Sequence, residues 1–178
     1  MTIDDFWNII AKAKDTINPE EVIEIVKKEL EKLSPEEIVS YQNHFDILHD
    51  KANFWNLWGA IYLINGGCGD DSFIDFRYSL ISRGREIYEN AIKNPESLVD
   101  LKLNDDENER FDELFNESFG YIATEVYEEK TDEEIYDYRE NNPYGNDEDM
   151  GEDWDFDDKD ECLKRLPKLT AKYWGKWE

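Results

Sequence analysis

The residue types that could do chemistry are concentrated in one short turn. Between Gly66 and Arg77 the sequence places one thiol and four charged groups: Cys68, Asp70, Asp71, Asp75 and Arg77. Asp71 and Asp75 are four residues apart and would share a helical face, where like charges cost roughly 0.2–0.5 kcal/mol unless a cation offsets them. The turn is therefore a candidate enzyme, metal or small-ligand site. In the structural alternative, Asp70 or Asp71 caps a helix, and Asp75 and Arg77 pair with neighbouring helices.

Covalent catalysis is not favoured at this turn. Reactive thiols need a positive environment, whereas Asp70 and Asp71 would raise the pKa of Cys68. The chain has no Gly-x-Ser-x-Gly elbow, no P-loop and no HExxH motif, and His44 and His49 would point about 140° apart on a helix. We predict no catalytic residue, no metal and no cofactor, which favours a binding protein over an enzyme.

A second candidate site comes from the distribution of charge. The chain carries 45 acidic and 20 basic residues, a net charge of −25. Residues 100–162 hold 26 acids and 5 bases, and 5 − 26 gives −21 for this segment alone. Binding to a phosphate backbone needs an excess of Lys and Arg, so we expect no nucleic-acid partner. The longest apolar run, Leu57–Ile64, is far shorter than the roughly 20 residues of a membrane span, so we expect no membrane partner.

Residues 141–161 are predicted to form an acidic loop that carries two aromatic side chains. Clustered carboxylates on a folded surface create a potential that steers a basic protein towards it. The predicted partner-binding residues are Asp147, Glu148, Asp149, Asp153, Trp154, Asp155, Phe156 and Asp157. Two alternatives remain open: a calcium loop, whose match to an EF-hand is poor at Met150 and Asp157, and a solvated loop anchored by the two rings.

The elements that must position these groups are predicted to be helices. Asn18-Pro19-Glu20-Glu21 and Ser34-Pro35-Glu36-Glu37 each combine a capping side chain, a proline at the first helical position and a glutamate that answers the cap. The stretch Asn53–Ile64 is apolar on nearly every side, which is typical of a central, buried helix, and Gly66 would end it. Signals for β-strands are weak.

Apolar residues at spacings of three and four continue over Glu107–Glu129 and predict a further helix there. We predict a single, compact all-α domain of roughly seven to nine helices around a central apolar helix. Residues 1–140 would form the helical domain, 141–161 the acidic loop, and 162–178 a basic, aromatic C-terminal segment that packs on the domain.

One group of motifs is distinctive enough to indicate a family. It comprises Phe6-Trp7, Leu57-Trp58-Gly59-Ala60, Gly66-Gly67-Cys68-Gly69-Asp70-Asp71-Ser72-Phe73-Ile74-Asp75-Phe76-Arg77, Gly84-Arg85-Glu86-Ile87-Tyr88 and Pro95-Glu96-Ser97-Leu98. Over roughly residues 5–127 the chain resembles the bacterial domain-of-unknown-function family 4240. Relative to that pattern, Gly59 stands where alanine is usual and Glu96 where aspartate is usual. The resemblance implies a bacterial domain and no established activity, and no functional residue is carried over from it.

These observations together predict a non-catalytic protein that binds another protein with a basic surface. Its most concrete form is an immunity or inhibitor protein that neutralises a basic toxin. The N-terminus lacks the features of a signal peptide, and two distant cysteines are typical of reduced thiols, so we predict a cytoplasmic location. An enzyme or ligand-binding domain centred on the Gly66–Arg77 turn is the alternative, and a small-molecule sensor fits the same features.

Overall fold

The structure, a computed structural model, describes residues 1–104, 106–135 and 150–176. Within these ranges the regular secondary structure is helical, and the prediction of an all-α domain is confirmed. The α-helices are α1 Ile3–Ile10, α2 Pro19–Leu30, α3 Pro35–Lys51, α4 Trp55–Asn65, α5 Asp70–Ser82, α6 Arg85–Lys93, α7 Glu107–Leu114, α8 Ile122–Thr131, α9 Lys159–Arg165 and α10 Pro167–Tyr173. Short 3₁₀ helices cover Ala11–Ala13, Pro95–Asp100 and Glu117–Tyr121.

The predicted helix starts of α2 and α3 form as their local chemistry requires. The Asn18 side chain accepts a hydrogen bond from the Glu21 amide at 3.0 Å. Ser34 forms a reciprocal capping box with Glu37, because each side chain accepts from the other residue's amide. Both starts are therefore satisfied within four residues of sequence.

Helix α4 occupies the centre of the fold, as its apolar composition predicts. Its residues Leu57, Ala60, Ile61 and Ile64 are fully buried. Gly66 ends the helix in the left-handed conformation at φ 75°, which is accessible to glycine without a steric penalty. Helix α10 and the Pro95–Asp100 turn both pack against α4, so the C-terminal part of the chain contacts the core directly.

The predicted continuous helix over Glu107–Glu129 is wrong, because the chain breaks after α7. Phe115 leaves the helical conformation at φ −130°, and Asn116 donates its amide to the Ser79 hydroxyl of α5 at 2.7 Å. The Asn116 side chain then caps the Glu117–Tyr121 turn by accepting from the Phe119 amide. A hydrogen bond between residues 37 positions apart thus replaces the local helical bonding. Because of this break, the described residues contain ten α-helices, more than predicted.

Among the described residues, no helix combines the length and the apolar character needed to cross a bilayer.

Candidate functional site

The acidic segment is held on the body as a strap, defined here as residues 150–158, with a bend at Glu152 and a turn at Phe156 and Asp157. Along it the side chains alternate: Trp154 and Phe156 are half-buried, whereas Asp153, Asp155 and Asp157 are exposed. The turn at Phe156 and Asp157 is closed by a hydrogen bond from the Asp158 amide to the Asp155 carbonyl at 3.2 Å. The strap therefore turns its rings towards the body and its carboxylates towards solvent.

The Trp154 ring is seated on α4 at the one helix position that lacks a side chain. A Cβ placed on Gly59 would lie 2.3 Å from Trp154 Cζ2 and 2.6 Å from Cη2, which is closer than real Cβ contacts allow. The ring centroid of Phe156 lies 4.7 Å from that of Trp154 in an edge-to-face arrangement. The Phe156 ring also contacts the rings of Trp55, Trp58 and Tyr62. The two aromatic side chains assigned to partner binding thus pack on the body.

Hydrogen bonds fix both ends of the strap. At its start, the Trp55 amide donates to the Met150 carbonyl at 3.1 Å. Near its end, the Cys162 thiol donates to the Phe156 carbonyl at 3.3 Å. Asp158 caps α9 by accepting from the amides of Asp160 and Glu161, so the strap continues directly into a helix.

The strap carboxylates are oriented by local contacts. Asp155 Oδ1 accepts from the Asp157 amide at 2.9 Å, and Asp157 Oδ1 accepts from the Tyr62 hydroxyl at 2.7 Å. That hydrogen bond to a carboxylate is the main reason why the pKa of Tyr62 is raised to about 12. Tyr62 therefore stays protonated at neutral pH and keeps donating this hydrogen bond to Asp157.

Part of the acidic charge in this region is neutralised internally. Arg165 forms ion pairs with Glu152 and Glu161, each with an N···O distance of 3.0 Å, and its guanidinium lies 5.5 Å from the Trp154 ring centroid. Three further strap residues with carboxylates, Asp153, Asp155 and Asp157, are exposed and form no ion pair among the described residues. Asp147, Glu148 and Asp149 lie outside the described residues.

The Gly66–Arg77 turn is tightly hydrogen-bonded. The Trp58 indole donates to the Cys68 carbonyl at 2.8 Å, and the Asn65 amide group donates to the Gly67 carbonyl. Burial, followed by the nearby Asp75 carboxylate, raises the pKa of the Cys68 thiol to about 12. Cys68 is a free thiol that stays protonated at neutral pH, which is the opposite of an activated nucleophile.

The charged residues of this turn do not converge on one site. Arg77 is buried: it donates to the carbonyls of Phe73 and His49 and lies 5.0 Å from the Phe73 ring centroid. Asp70 and Asp71 are exposed in the first turn of α5, and Gly69 is the N-cap residue, so the expected Asp cap is wrong. Neither side chain forms a capping hydrogen bond, but the helix dipole favours their negative charges at this end of α5.

Asp75 lies on α5 near two other carboxylates, those of Asp71 and Glu117. Burial first, and then the carboxylates of Glu117 and Asp71, raise its pKa. Within the part of the chain that the structure describes, no group of three or more His, Cys, Asp and Glu side chains has metal-binding geometry. Arg77 contacts a neighbouring helix as expected, because its guanidinium donates to the His49 carbonyl of α3.

Sequence reasoning missed the contact that docks the C-terminal helices. The buried Glu96 carboxylate accepts from the amides of Lys168 and Leu169, at 2.8 and 3.1 Å, and so caps α10 from a distant part of the chain. A glutamate in the Pro95-Glu96-Ser97-Leu98 motif was the available signal. Nothing local to that motif indicates which helix it caps.

Comparison with known proteins bears on the helical body rather than on the strap. Comparison with curated proteins and with solved structures gives no match. A family match covers residues 1–129, from α1 into α8, and the strap lies beyond it. The matched span includes the Gly66–Arg77 turn and the Glu96 motif, and it agrees with the resemblance drawn from the sequence. The chain therefore belongs to the family described as "Protein of unknown function (DUF4240)".

Proposed function

We propose that this protein binds a cationic protein through the exposed carboxylates of the strap. The observation that carries the proposal is the division of the strap into two sides. Trp154 and Phe156 anchor it on α4, while Asp153, Asp155 and Asp157 project into solvent. The carboxylates are thus presented from a fixed backbone, and less conformational entropy is lost on binding.

The spacing of these carboxylates suits a basic surface. The Cα atoms of alternate residues lie at most about 7 Å apart, which is less than the screening length of about 8 Å at physiological salt. Their potentials therefore add, and the net charge of −25 extends the attraction further. Complementary charge of this kind increases the association rate and rejects acidic competitors.

The most specific form of the proposal is neutralisation of a basic toxin. An acidic ridge on a rigid scaffold can cover a cationic cleft, such as the phosphate-binding cleft of a nuclease, without any catalysis of its own. A cytoplasmic location is part of the proposal and is supported by the two free thiols.

The test compares two variants of equal net charge. D153N/D155N/D157N neutralises the strap, and asparagine keeps the acceptor oxygens used by the Asp157 amide and the Tyr62 hydroxyl. The control, D15N/E31Q/E86Q, neutralises three exposed carboxylates elsewhere on the molecule. Binding of a fluorescein-labelled nona-lysine peptide would be measured by anisotropy at low and physiological salt.

We expect the strap variant to bind the peptide at least threefold more weakly than the control at low salt, since three exposed ion pairs of about 0.2–1 kcal/mol each sum to about 0.6–3 kcal/mol. The difference should shrink as salt screens the charges. Equal weakening in the two variants would show that only net charge matters, and it would overturn the assignment to the strap.

A further inference from the structure

A small pocket lies where the strap meets α4 and α10. Its volume is about 230 Å³, and its lining includes four aromatic side chains, Tyr62, Phe156, Tyr173 and Trp174, together with the Asp157 carboxylate. Phe156 and Tyr62 are in ring contact, with centroids 5.2 Å apart. Three separate segments of the chain thus bring rings and one anion to the same opening.

The rings at this opening already interact with cations of the chain itself. Lys172 Nζ lies 5.0 Å and Lys176 Nζ 5.2 Å from the Tyr173 ring centroid. Lys159 Nζ lies 5.8 Å from the centroid of Trp174. These distances fall within the range of about 6 Å over which an aromatic face attracts a cation. Tyr173 and Trp174 thus each have an ammonium group of the chain itself within this distance.

Among the described residues that line the pocket, Asp157 supplies the carboxylate, and it is positioned to receive a positive charge. Asp157 Oδ1 accepts the Tyr62 hydroxyl, which orients the carboxylate from the α4 side. Asp157 is otherwise exposed, so its second oxygen is accessible to a donor entering from solvent. Aromatic faces combined with one carboxylate form the usual recognition environment for an organic cation.

We propose that this pocket binds one guanidinium or ammonium group, presented as an arginine or lysine side chain of the cationic partner. This inference rests on the proposed function and deepens it, because it places an anchoring pocket beside the row of strap carboxylates. The volume accommodates one such side-chain tip. A basic partner would then contact the exposed Asp153 and Asp155 of the strap and insert one side chain next to Asp157.

The experiment uses small probes that report on the pocket alone. Nα-acetyl-arginine amide, Nα-acetyl-lysine amide and tetramethylammonium chloride are titrated into the ¹⁵N-labelled full chain. Nα-acetyl-citrulline amide serves as the neutral isostere of the arginine probe. The readout is the indole N–H resonance of Trp174, assigned by comparison with a Trp174→Phe variant. The ranking of the three cations shows whether guanidinium or ammonium is preferred.

We expect saturable shifts of the Trp174 resonance with the cations, at least fivefold tighter than with citrulline. Affinity should fall at least fivefold in Asp157→Asn and remain within twofold in Asp15→Asn, an exposed aspartate outside the strap and the pocket. Tyr62→Phe keeps the ring but removes the orienting hydrogen bond, and it should weaken binding even if Asp157→Asn disturbs the strap. Equal shifts with citrulline, or equal losses in the two Asp variants, would overturn the proposal.

Failure of this proposal is distinguishable from failure of the proposed function. If nona-lysine binds the strap variant more weakly than its control while the small cations do not bind, partner binding by the strap carboxylates is supported and the pocket is refuted. If the small cations bind at Trp174 while nona-lysine binds the two triple variants equally, the pocket is supported and partner binding by the strap carboxylates is refuted.

Discussion

Gly59→Ala is the substitution that tests most directly whether the strap is seated as described. In an otherwise unperturbed helix, replacing an interior glycine with alanine stabilises by about 0.8–1 kcal/mol. At Gly59 the new Cβ would approach Trp154 Cζ2 to 2.3 Å, which is about 1 Å less than an ordinary van der Waals contact. The helix would gain from alanine while the strap would be displaced by it.

The cost of that overlap follows from how the Trp154 ring is held. Phe156 packs on one edge of it and Arg165 lies over it, so the ring cannot shift by 1 Å without moving both. Overpacking of this kind costs about 1–3 kcal/mol. The Trp154 indole N–H has no hydrogen-bond partner among the described residues, so ring packing is what retains the side chain in its seat. The net expectation for Gly59→Ala is a loss of about 0–2 kcal/mol in the free energy of unfolding.

A Trp154→Ala background provides the matched control. Without the indole ring the nearest atom to the new Cβ is Phe156 Cδ1 at 3.2 Å, which is tight but can be relieved by a small shift. Gly59→Ala is then expected to stabilise by about 0.5–1 kcal/mol through helix propensity. The sign of the effect reverses between the two backgrounds, and the coupling energy is about 1–3 kcal/mol.

Urea unfolding followed by far-UV circular dichroism would measure all four members of this cycle. Limited proteolysis would report separately on release of the strap, which should be faster in Gly59→Ala than in the wild type. If Gly59→Ala stabilised the protein equally in both backgrounds, Trp154 would not be seated on α4 and the reasoning would be refuted.

Two further predictions concern the carboxylates of Glu96, which is buried, and of Asp75, which is half-buried. Glu96→Gln should lower the free energy of unfolding by about 1–2 kcal/mol, because the carboxylate cap of α10 is lost. Urea unfolding measures this loss, with the exposed Glu86→Gln as the control. Equal effects of the two substitutions would contradict the prediction. The raised pKa of Asp75 means that the folded chain binds its proton more tightly than the unfolded chain, so this group costs stability as pH rises through the raised pKa. Asp75→Asn should therefore raise the melting temperature at pH 7 and have little effect near pH 3, below the ordinary carboxyl pKa of about 3.9. A gain that persisted unchanged at low pH would contradict the assignment.

The helix starts were predictable from sequence because their chemistry is short-ranged. The Asn18 cap bonds to an amide three residues away, and so does the Ser34 capping box. Gly66 likewise ends α4 through its own conformational freedom. Each of these features depends on neighbours in the chain, so no knowledge of the fold was needed.

The break after α7 could not be predicted in the same way. The periodicity over Glu107–Glu129 is helical throughout, and the residue that competes with it is Ser79 on another helix. Its hydroxyl offers the Asn116 amide a partner outside the helix, and the Asn116 side chain then starts a new turn. Helix propensity is a weak preference that a tertiary hydrogen bond of this kind overrides.

The sequence by itself determined the helical class, the central position of α4 and the acidic character of the strap segment, since each follows from composition and from spacing along the chain. Only the tertiary structure decided which side of the strap faces solvent. Trp154 finds the space left by Gly59, 95 positions earlier, and Asp157 meets Tyr62 at the same distance in sequence. Such pairings join residues that are remote in the chain, so they form only when folding brings the two surfaces together, and they direct the aromatic side chains inward and the carboxylates outward.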